Sequence, residues 1–376
     1  MADFDVAVVG AGVVGCAAAL ALARRDVRVV LLEAEPEPGL AASGTNSGIL
    51  HTGFDSPPGE AETELILRSA RLRDDVLDAL EVPILRCGAL LRARDEAQSD
   101  AVRALAENAA RNGVEARPRD GAELEVPGEA VTDPVAYTLA LAAAAQRQGA
   151  ELRTDFRVAR IEGEAEGLAL ESAGGARVRC KLALNCAGLH ADEVARLAGD
   201  DSFEIYPRKG EFLVFDPPEG ERLERILLPV PTKRTKGVLV FPTLDGKVVA
   251  GPTAVDEEDK HDWSVRPEAR DEIMPAAIPM WPPLEGAEQV GAYAGLRPAG
   301  RGVNYVIGPS AACSRLVNAA AIRSTGMTAS LGIAEQLCSL AEQLGVRLGP
   351  ERPLEPGGRP PYGGPWWERT ARYRAR

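Results

Sequence analysis

An α/β fold in two parts is predicted for this chain of 376 residues, and three observations predict it. The sequence opens on a strand, a glycine-rich turn, a helix and a second strand. Matching α/β pieces return near residues 150–198 and 290–345. The stretches between them are rich in prolines and short apolar runs, which suits an inserted, mostly antiparallel β domain.

The opening segment reads MADFDVAVVGAGVVGCAAALALARRDVRVVLLEAE. Val6 to Val9 suits a short buried parallel strand. Gly10, Gly12 and Gly15 then give G-x-G-x-x-G. Val13 to Ala23, rich in Ala and Leu, suits a helix. A second apolar run, Val27 to Leu32, ends in Glu33. This order is that of a Rossmann-type dinucleotide site. Gly10 allows the tight turn, Gly12 leaves room for a pyrophosphate, and Gly15 lets helix and strand pack closely. Glu33 stands where an acceptor for a ribose 2′-hydroxyl belongs. The helix N-terminus would face the pyrophosphate with free N–H groups and a positive dipole end. A secretory signal would carry positive charge before its apolar core. Here Asp3 and Asp5 precede the run, and Arg24 and Arg25 follow it. The glycines argue against a membrane span, and no later segment is long and apolar enough for one.

Net charge is −13, with 45% hydrophobic and 26% charged residues. That balance excludes a basic, nucleic-acid-binding surface. It leaves a small anionic ligand open, because such a ligand meets only its pocket. The six cysteines are Cys16, Cys87, Cys180, Cys186, Cys313 and Cys338. They form no C-x-x-C pair and no cluster, so no metal site is expected, and reduced thiols in a cytoplasm are.

Further along, Glu60 to Leu80 reads as an exposed helix, Pro83 to Ala93 as one strand, and Asp95 to Asn112 as a helix closed by Gly113. Val131 to Gly149 contains a helix with Asp133 as N-cap and Pro134 at its first position. A β-meander over 151–184 feeds a buried strand, Lys181 to Cys186. Residues 203–295 are strand-rich, and Thr328 to Leu344 reads as the final amphipathic helix. The division expected is a discontinuous dinucleotide domain (1–82, 135–200 and 291–348), a substrate domain (83–134 and 201–290) and a tail (349–376).

Residues 43–53 read Ser-Gly-Thr-Asn-Ser-Gly-Ile-Leu-His-Thr-Gly. Further blocks are NCAGLHADEVA (185–195), RKGEFLVF (208–215), TKGVLVFPTLDGKVVAGPTA (235–254), AGLRPAGRGVNYVIGPS (294–310) and IRSTGMTASLGIAE (322–335). In order and spacing they resemble the D-amino-acid-oxidase-like superfamily of FAD-dependent oxidoreductases. Within it, they resemble the branch holding glycerol-3-phosphate dehydrogenases and L-2-hydroxyglutarate oxidases. The resemblance implies a Rossmann-type FAD-binding domain with an inserted, mostly antiparallel β substrate domain. It implies that Gly10, Gly12, Gly15 and Glu33 hold the ADP half of FAD. Ser43, Thr45, Asn46, Ser47 and Gly48 would run beside the pyrophosphate and isoalloxazine. Val158 would touch adenine through its backbone, and Ala187 and Gly188 would pack on the nucleotide. Gly326, Met327 and Thr328 would meet the pyrimidine end of the flavin, where a helix N-terminus suits the negative charge of the reduced ring. No cysteine or histidine lies in 294–302, where some relatives with covalent flavin carry theirs, so noncovalent FAD is expected. A second G-x-G-x-x-G is lacking, so the electrons are expected from a substrate bound at the flavin.

The reaction implied is hydride loss from the carbinol carbon of a small anionic alcohol to flavin N5. The alcohol is glycerol-3-phosphate-like or a 2-hydroxy acid. His51 is the candidate base, since neutral imidazole suits a hydroxyl proton near pH 7. A core histidine satisfied by backbone groups is the other reading. Arg297, in AGLRP, is the candidate anion clamp, set against a surface salt bridge. Lys209, Lys236 and Arg323 are weaker substrate candidates. His190 reads as structural and His261 as solvated. An amine or amino-acid oxidase, or a flavoprotein assembly factor with little turnover, are the alternatives. The electron acceptor stays open between oxygen, a quinone and a partner protein. Trp366, Trp367 and the closing arginines suit either peripheral membrane contact or a tail that straps onto its own domain or onto a partner subunit.

Overall fold

The computed structural model describes residues 2–120, 122–230 and 237–374. Lys236 lies outside these residues. Strand Phe4–Val9 sits between two parallel neighbours, Val29–Leu32 and Arg177–Asn185. Val6 to Val9 are all buried, which is why this strand is continuously apolar rather than alternating. Leu316–Ala320 adds in parallel beside Arg177–Asn185, and Glu151–Arg153 beside Val29–Leu32. With the meander Val158–Glu164 and Gly167–Ser172 and the strand Val306–Pro309, this makes an eight-stranded sheet among the described residues. Helices Val13–Ala23, Pro134–Arg147 and Gly326–Gln343 share one core with Val6, Val8 and Leu31 on one face. Ala7, Val9, Val30 and Leu32 face the meander and Val194 on the other.

The second sheet has nine strands among the described residues. Its spine is Ile205–Asp216 against Glu288–Gly300, paired from Ile205 opposite Gly300 to Asp216 opposite Glu288. Residues 291–300, expected in the dinucleotide domain, therefore belong to this sheet. The cause is the ladder: each of these residues continues a pairing begun outside the expected boundary. The single strand expected over Pro83 to Ala93 is broken at Gly88, whose φ is +66°. Ile84–Leu85 joins a small sheet with Ile49–Leu50 and Ala130–Thr132, whereas Ala89–Arg92 joins the nine-stranded one.

Ala61–Ala79 is a helix, but it is not the exposed one expected. Leu65, Ile66, Ser69, Arg73 and Leu77 are buried at helical spacing. A Cβ on Gly332 would lie 2.3 Å from Leu65 O, so this helix and Gly326–Gln343 cross in close contact. Pro134–Arg147 starts as expected, with the Asp133 carboxylate accepting from Ala136 N at 2.8 Å. One more helix, Trp366–Arg374, follows the helix expected to be last. Trp366 and Trp367 are only 7% and 3% exposed, and Tyr293 meets Trp366 edge to face. Arg369 donates to Glu37 and to Pro38 O, and Arg374 to Leu40 O. The tail thus straps its own fold, and its tryptophans are packed away from any membrane surface. No helix among the described residues is long and apolar enough to cross a membrane.

Candidate cofactor cleft and active site

A cleft of about 320 Å³ opens where Val9, Leu32 and Ala320 end their strands and Cys186 follows another, at the carboxyl edge of the parallel sheet. Such an edge is where ligands bind in open α/β sheets. Gly10 and Gly12 form its floor. Gly15 lies beneath, where a Cβ would fall 1.9 Å from Gly10 O, so no larger residue fits the turn. Glu33 is fixed by two backbone donors: Ala11 N reaches Oε2 at 2.7 Å and Glu35 N reaches Oε1 at 3.0 Å. Burial pushes its carboxyl above the ordinary range. Val13 N, at the start of the first helix, donates to Ser43 Oγ at 2.9 Å. Val158, Ala187 and Gly188 complete the far wall.

The other end of the cleft is walled by Asn46, Gly326, Met327 and Arg323. Helix Gly326–Gln343 has no side-chain cap and no acid of its own in its first turn; the nearby carboxylate is Glu62, which accepts from Thr325 Oγ1 at 2.7 Å. Thr45, Ser47, Gly48, His51 and Thr328 do not line the cleft; they lie beside it. Thr45 Oγ1 donates to Ala41 O and Ala42 O, Ser47 Oγ accepts from Ile49 N, and Gly48 N donates to Asn46 Oδ1. Thr328 Oγ1 accepts from His51 N at 3.1 Å and donates to Ile49 O at 3.3 Å, tying the histidine segment to the helix start.

His51 follows strand Ile49–Leu50, and Glu129 precedes strand Ala130–Thr132. The antiparallel register pairs Ile49 with Val131 and Leu50 with Ala130. The next pair along that register is His51 with Glu129, and their side chains meet. His51 Nδ1 lies 2.8 Å from Glu129 Oε2. Glu129 is wholly buried and the His51 side chain is 19% exposed. Glu129 Oε1 accepts from Thr52 N at 2.7 Å and Thr52 Oγ1 at 2.9 Å. The backbone-satisfied core histidine is therefore not what is found: the ring is held by a carboxylate. Sequence reasoning missed Glu129. Its only signal was a lone acid in the apolar run around residue 130.

The structure keeps Arg297 away from the cleft wall and leaves it half-buried. Its Nε donates to Arg208 O, and its Nη2 donates to Lys209 O and Thr253 O. Burial pushes the guanidinium down to about 10. Three of its five N–H groups are thus engaged, and the two on Nη1 have no acceptor among the described residues. A fork-like grip on an anion, as the sequence suggested, is not available; a single arm is. Lys209 is removed from the substrate candidates. It is fully buried, with Nζ 2.5 Å from Asp262 Oδ2. Arg323 does reach the cleft, 3.7 Å from Glu62. His190 lines the cleft with Nδ1 against Glu193, and burial pushes its pKa down. His261 is exposed, as expected, and its ring stands 5.6 Å from the His190 ring on the same wall.

The DAO family, described as FAD dependent oxidoreductase, matches residues 5–340. This chain belongs to it. A glycerol 3-phosphate dehydrogenase of Caloramator mitchellensis is 28% identical over 362 residues, covering 92% of this chain and 75% of that protein. An L-2-hydroxyglutarate dehydrogenase of Escherichia coli is 27% identical over 270 residues, 67% of this chain and 64% of that protein. Among solved structures, an FAD-bound L-alpha-glycerophosphate oxidase from Mycoplasma pneumoniae superposes with a TM-score of 0.87 at 25% identity. It covers 96% of this chain and 99% of that one. The chain is an FAD-dependent oxidoreductase, and its residues fit that cofactor. The glycine floor leaves room for backbone approach, Glu33 would meet the ribose, and the start of helix Gly326–Gln343 would face the flavin.

Proposed function

We propose that this protein oxidises a small anionic alcohol, with glycerol 3-phosphate first and a 2-hydroxy acid such as L-2-hydroxyglutarate second. Glycerol 3-phosphate leads because relatives of that name align with nearly the whole chain, whereas the hydroxyglutarate relative aligns with two thirds. Bound FAD, held noncovalently, supplies the acceptor for the hydride that leaves the carbinol carbon. The chain supplies proton handling and anion binding. His51 takes the hydroxyl proton; Arg297 Nη1 and Arg323 supply the positive charge that orients the anionic end. Oxygen, a quinone or a partner protein reoxidises the enzyme. The six free cysteines suit a reducing compartment, and we place the protein in the cytoplasm.

The observation that carries this reading is the setting of His51. Its ring is anchored through Nδ1, and its backbone is tied to the helix that faces the flavin end. The test is His51→Ala with glycerol 3-phosphate in a single anaerobic turnover. Flavin reduction should slow by roughly 10²–10⁴-fold while FAD content stays the same. A parent-like rate would overturn the assignment.

A further inference from the structure

Glu129 is a fully buried carboxylate in direct contact with His51, and the reaction so far gives it no task. Resting on the reading of His51 as the base, we propose that Glu129 is a positioning residue. It holds His51 in the tautomer with hydrogen on Nδ1 and leaves Nε2 bare to receive the substrate's proton.

The bonding leaves little freedom. An ionised carboxylate only accepts. Oε1 is occupied by the Thr52 N–H and O–H, so Oε2 takes its hydrogen from His51 Nδ1. Glu129 is 0% exposed, and a buried carboxylate deprived of a donor is costly, so the arrangement favours that donor strongly. As the substrate O–H breaks and Nε2–H forms, the ring becomes an imidazolium whose charge Glu129 faces directly. The pair is also clamped. Arg73, 8% exposed on helix Ala61–Ala79, donates to Leu50 O at 3.2 Å, His51 O at 3.3 Å and Gly128 O at 3.3 Å. One buried cation thereby grips the two backbone segments that carry His51 and Glu129. Gly128 allows the close approach: a Cβ there would stand 2.9 Å from Thr52 Cγ2.

Glu129→Gln is the diagnostic variant. Its amide has one accepting and one donating end. The two Thr52 donors fix the oxygen on their side, so the NH₂ faces His51 Nδ1. The ring must then accept at Nδ1 and carry its hydrogen on Nε2, where it blocks proton uptake. With holoenzyme and glycerol 3-phosphate, flavin reduction should fall roughly 10²–10⁴-fold, as expected for a base in the wrong tautomer. Substrate affinity and FAD content should not change. Nitrogen NMR of the His51 ring should show hydrogen on Nδ1 in the neutral ring of the parent and on Nε2 in the variant. His51→Ala, run in parallel, keeps the two claims apart. If His51→Ala is slow but Glu129→Gln reduces at the parent rate, the positioning role is overturned and the base stands. If His51→Ala reduces at the parent rate, the base reading falls and takes this role with it. Should Glu129→Gln fail to fold, the parent spectrum alone decides, because a neutral His51 with hydrogen on Nε2 overturns the proposal.

Discussion

Gly210→Ala perturbs the anion clamp without touching its charge. Residue 210 lies on strand Ile205–Asp216, opposite Gly295 and two register steps from the Arg208–Arg297 pair. A Cβ there would stand 2.4 Å from Arg297 Nη2 and 3.0 Å from Pro252 Cβ. Ordinary contact begins at 3.4 Å, so the guanidinium must retreat by about 1 Å (3.4 − 2.4 = 1.0). Nη2 is held by Lys209 O at 3.0 Å and Thr253 O at 2.8 Å, so this retreat disturbs both bonds and swings Nη1 with them. The fold should tolerate the change, because the atom in the way ends a side chain. Catalysis should not, since a displacement of about 1 Å can cost on the order of 10²-fold. Deleting the charge with Arg297→Ala sets the outer limit, about 2–5 kcal/mol for a truncated charge pair. The assay is anaerobic flavin reduction against substrate concentration, with glycerol 3-phosphate and with uncharged glycerol. We expect Gly210→Ala to lower efficiency with the phosphate by about 10²-fold, with glycerol and FAD content little changed. Equal losses on both substrates would mean that Arg297 serves the fold. An unaltered response to the phosphate would end the clamp assignment.

Other consequences can be checked as directly. Gly12→Val should purify without FAD, because even the first added carbon would lie 3.1 Å from the Ser43 Oγ that caps Val13, and the branch would enter the cleft. Full flavin content would refute the site. Acid precipitation of the parent should release all yellow colour into the supernatant, and colour kept in the pellet would refute noncovalent binding. Lys209→Met tests a buried pair through pH. The hydrogen bond from Lys209 holds the Asp262 carboxyl at about 2, below its ordinary 3.8. A depressed folded-state pKa stabilises above the unfolded value and loses that contribution as pH falls through the folded one. The stability gap between parent and variant should therefore be full above about pH 4 and shrink toward pH 2. A gap constant across that window would contradict the pairing. The effect should be small, since Asp262 is 40% exposed.

Local features of the fold were legible in the sequence, and features set by long-range register were not. The turn at Gly10, Gly12 and Gly15 and the acceptor Glu33 follow from spacing within one βαβ unit, and the structure brings them to one cleft. The Asp133–Pro134 helix start is equally local. Glu129 stands 78 residues from His51, and strands two and three residues long set their register. No periodicity survives at such lengths. The partners of Arg297 are backbone carbonyls, and side-chain types say nothing about which carbonyls a ladder will bring near. Lys209 looked like a cation free for substrate because its partner Asp262 sits in a distant loop. Trp366 and Trp367 have a composition that fits a membrane surface and a core equally well. Phe212 and Tyr293, stacked at 4.7 Å beneath them in the same core, decide for the core.

The substrate class is tested most directly by anaerobic bleaching of the bound flavin with a panel of single compounds. The panel is glycerol 3-phosphate, L-2-hydroxyglutarate, uncharged glycerol, glycine and a secondary amine. The account predicts rapid bleaching by an anionic alcohol, glycerol 3-phosphate foremost, and at most slow bleaching by the others. Rapid bleaching by glycine or the amine, with none by either anionic alcohol, would contradict it, and so would a flavin that no member of the panel reduces.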